Sequence, residues 1–332
     1  MATQNGMNRA RGLVLATAMA LGLGGPAAAA DQLTIVGAGP GAGAYQLAGA
    51  LAEAVNRVKE ADVIVTNQAS KGFVANTRMV ETGGADLALT NGPFVYFAQN
   101  SVKPFTEMKA ESIRGVGPVT TSWFHMTVTA DSGIESYMDL AGKRVNFAAK
   151  GSSTEFMTRM AFEKLGIIDQ ISPEYMRWDQ AATALIDGNI AAFSIPNPVP
   201  SPSVLQASAS RPINVLSLPD EVIQHFIDYN PGYYRDTVPA GSYAGMEDKE
   251  FETIAYTIFV TANASLSDDL VYKVTKATYD DASHDFLINA FGSWRIGLAA
   301  IKSADFIDQM NGFGLELHPG AARYWKERGL IN

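Results

Sequence analysis

Residues Val36-Gly37-Ala38-Gly39-Pro40-Gly41-Ala42-Gly43-Ala44-Tyr45 place a glycine-rich turn between a short apolar run and a helical pattern. A strand that ends in glycines and opens a helix offers several backbone N–H groups to a ligand, and the helix dipole makes the spot attractive to anions. Gly41, Gly43 and Ala44 are therefore candidate main-chain contacts, with the Tyr45 hydroxyl or ring as a cover; the other reading is a tight turn with Tyr45 packed in the core. A second stretch, Lys150-Gly151-Ser152-Ser153-Thr154-Glu155, repeats the order of strand, small-residue loop and helix. Here Ser152, Ser153 and Thr154 can bind the same anion through hydroxyls beside helix N–H groups, or Ser152 or Ser153 caps the helix. Glu155 suits a capping box better than an anion contact.

Three weaker candidates lie at other strand ends. Ser70 and Lys71 follow the second strand, and Lys71 reads either as a partner for a second negative charge or as a solvated lysine. Asn91 ends the third strand as an amide partner or a turn former. In the run Pro196-Asn197-Pro198-Val199-Pro200-Ser201-Pro202, either Asn197 or Ser201 presents a polar group. That run reads as a rigid, extended loop, neither helix nor central strand.

Other chemistries find little support. His125, His225, His284 and His318 lack the spacing of a metal site, and His318, before Pro319-Gly320, reads as structural. No serine sits in a G-x-S-x-G elbow, and the absence of cysteine removes disulfides and thiol catalysis. Acidic pairs such as Asp268-Asp269 and Asp280-Asp281 read as solvated helix faces. Gly39 to Ala44 formally satisfies the dinucleotide pattern G-x-G-x-x-A. However, the second strand ends in Asn67-Gln68 with no acid for a ribose hydroxyl. No metal or cofactor is expected, and no enzymatic activity.

The elements that position these residues follow from the hydrophobic pattern. Met1 to Ala30 reads as a cleaved secretory leader: Arg9 and Arg11, an apolar Leu13 to Gly24, and Ala28-Ala29-Ala30. The protein is thus expected outside the cytoplasm, in the periplasm. Arg9 and Arg11 are two of 25 basic residues, so the remainder carries 23 against 34 acids, a net charge of −11. That balance argues against nucleic acid but allows an anionic ligand held by a local cluster of positive ends. Strands are expected at Leu33 to Val36, Val63 to Thr66 and Leu87 to Thr90, with helices at Ala44 to Val58 and Phe73 to Glu81. Further strands are expected at Ile113 to Val119, Phe124 to Thr129, Val145 to Ala148, Ala191 to Ile195, Asn214 to Leu218 and Thr253 to Thr261. Helices are expected at Phe156 to Leu165, Ala181 to Asp187, Pro219 to Tyr229, Asp268 to Asp281 and His284 to Phe291. Such alternation implies an α/β fold, mostly parallel, with ligands at the carboxyl ends of the strands.

Five segments occur together and in order: the opening loop with Tyr45, Ala130-Asp131-Ser132-Gly133-Ile134 to Gly142-Lys143-Arg144-Val145, Gly151 to Glu155, Val238-Pro239-Ala240-Gly241-Ser242-Tyr243, and Leu317-His318-Pro319-Gly320-Ala321. As a set they resemble the TAXI family of solute receptors, the extracytoplasmic binding proteins of one branch of TRAP transporters. The resemblance implies a two-lobed type II periplasmic-binding-protein fold with two crossing strands. Lobe 1 would hold residues 31–130 and 251–332, and lobe 2 residues 131–250. It also implies a small organic carboxylate, such as glutamate or 2-oxoglutarate, held in the cleft by a monomer and delivered to a TRAP-type membrane permease. The sequence departs from the family pattern at Gln68 to Phe73, where a glycine pair followed by serine is more common. It departs again at Ser153, often glycine, and at Asn91, often glutamine. A surface antigen that keeps the fold without a ligand, and the dinucleotide-binding oxidoreductase, are the alternatives.

Overall fold

The computed structural model describes residues 30–40 and 42–331, so the leader expected at Met1 to Ala30 lies almost wholly outside the described residues. Ten strands form one mixed sheet: β1 (Asp31–Val36), β2 (Val63–Gln68), β3 (Leu87–Asn91), β4 (Ile113–Thr129), β5 (Arg144–Asn146), β6 (Ser172–Glu174), β7 (Ala192–Asn197), β8 (Ile213–Val215), β9 (Tyr234–Val238) and β10 (Phe251–Asn263). Around it lie α1 (Gly43–Arg57), α2 (Phe73–Thr82), α3 (Gly92–Gln99), α4 (Ser153–Lys164), α5 (Trp178–Ile186), α6 (Pro202–Ser210), α7 (Asp220–Tyr229) and α8 (Asp268–Tyr279). The chain closes with α9 (Asp281–Ala290), α10 (Trp294–Ala300), α11 (Asp305–Gly312) and α12 (Pro319–Glu327). No helix among the described residues is long and apolar enough to cross a membrane.

The strand order is β2-β1-β3-β10-β4-β7-β5-β6, with β8 on β4 and β9 on β10. Within each half the pairs are parallel: β1 with β2 and β3, and β5 with β6 and β7. The antiparallel pairs all involve β4 or β10, which run through both halves. β10 pairs with β9 over Phe251 to Ala255 and with β3 over Ile258 to Ala262. β4 pairs with β7 from Trp123 onward. These are the two expected crossing strands. The two short runs expected at Ile113 to Val119 and Phe124 to Thr129 are one strand of 17 residues. The intervening Thr120 to Trp123 is polar or bulky, but β10 pairs with it throughout.

Burial explains the patterning. β3 is covered on both sides and reads Leu-Ala-Leu-Thr-Asn without an exposed residue. α1 presents Leu47, Ala48, Leu51, Ala54 and Val55 to the core at helical spacing. A second, smaller core beneath α5 and α6 gathers Phe193, Ile195, Val204 and Phe251.

The proline run is corrected in part. Pro196 and Asn197 belong to β7, opposite Phe124 and Trp123 of β4, and α6 begins at Pro202. Proline is tolerated in the strand because β5 pairs with β7 only at Ala192 and Phe193, leaving that side open at Pro196. At Pro202 the missing N–H falls in the first helical turn, where it has no intrahelical partner to lose.

Candidate functional site

β3 and β7 run head-on along the crossing strands. β3 ends at Asn91, level with Ile258 of β10 and hence Thr120 of β4, while β7 arrives from the other half and ends at Asn197, level with Trp123. Thr120 and Trp123 are three residues apart, or about 10 Å along the strand. β1 stops earlier, at Val36 level with Gly115 of β4, and β5 at Asn146 level with Thr127, so it is the turns after β3 and β7 that meet over the middle of one two-stranded ribbon. That ribbon is itself fastened there by hydroxyls: Tyr234 of β9 bonds Thr121 at 3.3 Å and Thr257 at 3.2 Å, and Thr257 donates to Gln309 Oε1 at 2.8 Å.

In the first half, Gly37 packs so closely on Ala44 that any Cβ would collide with the helix backbone. Gly41 lies outside the described residues. Gly43 opens α1, whose N-cap residue Ala42 supplies no side-chain acceptor. The amides of Gly43 and Ala44 have no acceptor among the described residues, and the half-buried Tyr45 makes no hydroxyl hydrogen bond there. The turn is held from behind by Asn76, fully buried, whose Nδ2 donates to Gly37 O at 2.6 Å and Leu89 O at 2.8 Å. Ser70 belongs to the same bracing: its Oγ donates to Asn76 Oδ1 at 2.5 Å and accepts from Gly72 N, while its own N–H donates to Ala38 O. Lys71 beside it is exposed and without an ion pair among the described residues. Asn91 spends its Oδ1 as the N-cap of α3, accepting from Phe94 N at 3.0 Å, and keeps its Nδ2 free of hydrogen bonds among the described residues.

In the second half, Ser152 is the N-cap of α4 and accepts from Glu155 N at 3.2 Å. Glu155 reaches one residue further back than a capping box and accepts from Gly151 N at 2.6 Å. Burial raises its carboxyl, but the Gly151 amide, Arg159 and Tyr175 together outweigh this and hold it below the usual carboxylate range. Ser153 and Thr154 keep their hydroxyls without partners among the described residues, and Thr154 is 1 % exposed. Asn197 and Ser201 bond to each other, Nδ2 to Oγ at 3.1 Å. Ser201 is wholly buried, so of the two only Asn197 keeps exposed surface.

Beneath this turn lies a hydrogen-bonded chain that the sequence did not reveal. Ser201 N donates to the Tyr243 hydroxyl at 2.9 Å, and Tyr243 is 2.9 Å from His125 Nε2. His125 Nδ1 faces the carbonyls of Trp123 and Ile195, which can only accept, so Nδ1 carries the proton and Nε2 accepts from Tyr243. Complete burial lowers the imidazole to about 4, against the two carbonyls that raise it. Neither His125 nor Asn76 had a local signal, since the partners that tie them to the turns, Tyr243 for the one and Gly37 and Leu89 for the other, are distant in sequence. His318 caps α12 through Nδ1, accepting from Gly320 N, a structural role.

The halves touch beside the site. Asn230, at the end of α7, donates to Pro93 O at 2.9 Å, and the Phe97 ring of α3 meets Phe156 of α4 and Tyr229 of α7 at centroid distances of 6.0 and 5.6 Å.

The model of the NMT1-like family matches residues 35–329. Among solved structures, a TctC solute binding protein from Polaromonas, without ligand, superposes with a TM-score of 0.54 at 16% identity, covering 91% of this chain and 98% of its own. The periplasmic sulfonate-binding protein SsuA from Methylobacillus flagellatus KT gives 0.54 at 13% identity, covering 92% and 96%. XAC2383 from Xanthomonas citri, bound to chloride ion, gives 0.51 at 10% identity, covering 89% and 99%. At these identities the likeness shows the fold, the two-lobed arrangement of periplasmic binding proteins.

Proposed function

The chain belongs to the NMT1-like family, and from that premise we propose that it is a solute receptor acting outside the cytoplasm. It captures a small organic carboxylate, glutamate, 2-oxoglutarate or a related acid, between a lobe of residues 31–130 with 251–332 and a lobe of residues 131–250. It then delivers the ligand to a TRAP-type permease. The observation that carries this reading is the head-on convergence of β3 and β7 over the crossing ribbon. It brings two helix-opening turns from separate halves to one place, as a clamp closing on a ligand requires.

The lobes contribute differently. α1 offers main-chain amides at Gly43 and Ala44, with Tyr45 alongside. α4 has its own backbone partly satisfied and offers the Ser153 and Thr154 hydroxyls. Asn91 Nδ2 and Asn197 line the strand ends, and Lys71 stands at the rim as a candidate for a second charge. The leader and the TAXI-like motifs support export and the TRAP partner. No catalytic step is required.

Thermal unfolding against glutamate, glutamine, 2-oxoglutarate, other dicarboxylates, aromatic carboxylates and alkanesulfonates tests this. A ligand at a hundredfold excess over its Kd adds about 2.7 kcal/mol to the native state and raises Tm by roughly 4 °C. A carboxylate is expected to give that rise, and Tyr45→Ala or Ser153→Ala to diminish it. No rise with any of the acids would sink the proposal, and a rise with alkanesulfonates alone would replace the carboxylate.

A further inference from the structure

Between the turn after β7 and the junction of α9 with α10 lies a cavity of about 390 Å³. Val199 and Pro200 form one wall, and Gly292, Ser293, Arg295 and Ile296 the other. Both walls adjoin the site described above: Val199 and Pro200 follow Asn197, and the Phe291 ring lies 3.5 Å from where a Cβ on Gly43 would stand.

Arg295 is exposed and has no ion pair or side-chain hydrogen bond among the described residues. Every other arginine there has a partner. All but one pair with carboxylates, and Arg78 donates to the Pro104 carbonyl and covers the Phe105 ring. In a chain with 34 acidic residues, an arginine that meets none keeps its whole fork of donors for an external oxyanion.

We propose that Arg295 is the charge anchor of this cavity and takes the carboxylate or sulfonate head of an organic anion whose hydrocarbon rests on Val199, Pro200 and Ile296. The volume lies within the range of small-molecule sites, and the planar guanidinium can hold two oxygens of one head group in parallel. The inference rests on the receptor reading and deepens it, giving the second-charge role to Arg295 instead of Lys71.

The test is an NMR titration of the arginine Nε–H resonances, with Arg295 assigned through Arg295→Lys, using hexanoate, glutarate, hexanesulfonate and, as neutral control, 1-hexanol. At least one anion is expected to shift Arg295 to saturation while hexanol does not; the tighter of hexanoate and hexanesulfonate identifies the head group. Arg295→Gln, followed through the backbone amides around the cavity, is expected to weaken binding about tenfold or more. If none of the three anions moves Arg295, the inference is overturned. The amides of Gly43, Ala44 and Thr154 report on the receptor site in the same spectra. Anions that move those amides but not Arg295 preserve the receptor and overturn the anchor. An anion that moves Arg295 alone preserves the anchor and overturns the clamp.

Discussion

Two turns of the candidate site, one from each half, are braced by different chemistry. The glycine turn after β1 is held by an amide: Asn76 donates to the carbonyls of Gly37 and Leu89 and receives the Ser70 hydroxyl. The turn after β7 is held by an imidazole, through the chain from Ser201 N to the Tyr243 hydroxyl to His125 Nε2. Both braces are wholly buried and come from a different element than the loop they fix. An amide has no proton equilibrium near neutrality, whereas an imidazole does. One side of the clamp is therefore indifferent to pH, and the other is stable only while His125 stays neutral.

Asn76→Ala should have the largest effect. It orphans two buried carbonyls and the Ser70 hydroxyl at once, a loss of about 4 kcal/mol. Urea unfolding is expected to show that loss unchanged between pH 5 and 8, and a cost below about 1 kcal/mol would mean that the turn stands without its brace. His125 gives the next largest effect and sets the contrast. Its pKa is lowered from 6.5 to about 4 in the folded protein, so between those values the unfolded chain binds more protons than the native one. The contribution is therefore complete above pH 6.5 and is lost as pH falls toward 4, by about 3 kcal/mol. Comparing wild type with His125→Gln by urea unfolding from pH 4 to 7 isolates it from the carboxylates. The variant should show the flatter profile, and equal slopes would remove the distinction between the two braces. Ser152→Ala follows at about 1 kcal/mol, the usual worth of an N-cap. Because Ala42 supplies no cap to α1 and glycine is the better N-cap residue, Ala42→Gly should be neutral or slightly stabilising, and a loss matching that of Ser152→Ala would erase the difference between the two helix starts.

The reach of the sequence follows the same division between local and distant causes. α1 and α2 are legible as helical stretches, and β1, β2 and β3 as short apolar runs bounded by glycine or polar turns. The candidate residues were legible as positions, since those the structure describes all lie in or beside strand-to-helix turns, but not as partners. Nothing adjacent to Ser70 announces Asn76 as its acceptor, and nothing near Ser201 announces Tyr243, 42 residues away. α6 was hidden by the prolines that precede it, and α3 by a proline in its own first turn, both placed where a helix start accepts them. α10, α11 and α12 run only seven to nine residues, too short to show more than two turns of periodicity. Arg295 lies in α10 and carried no signal, because an unpaired arginine is recognisable only once the partners of the others are known.

The smallest effect separates the two cations that compete for a second charge. Lys71 is exposed on the turn after β2, a flexible point charge that water solvates well, whereas Arg295 presents a rigid fork within a cavity. Lys71→Ala should leave Tm unchanged, because the side chain makes no ion pair among the described residues. Solvent screening at an exposed position should limit its effect on glutarate affinity to about threefold, with no effect on hexanoate. Calorimetric titration of both anions into Lys71→Ala and Arg295→Gln makes the comparison direct. If Lys71→Ala costs more glutarate affinity than Arg295→Gln does, the second charge is read on the amide-braced side of the clamp, and the contrast between the two sides reverses.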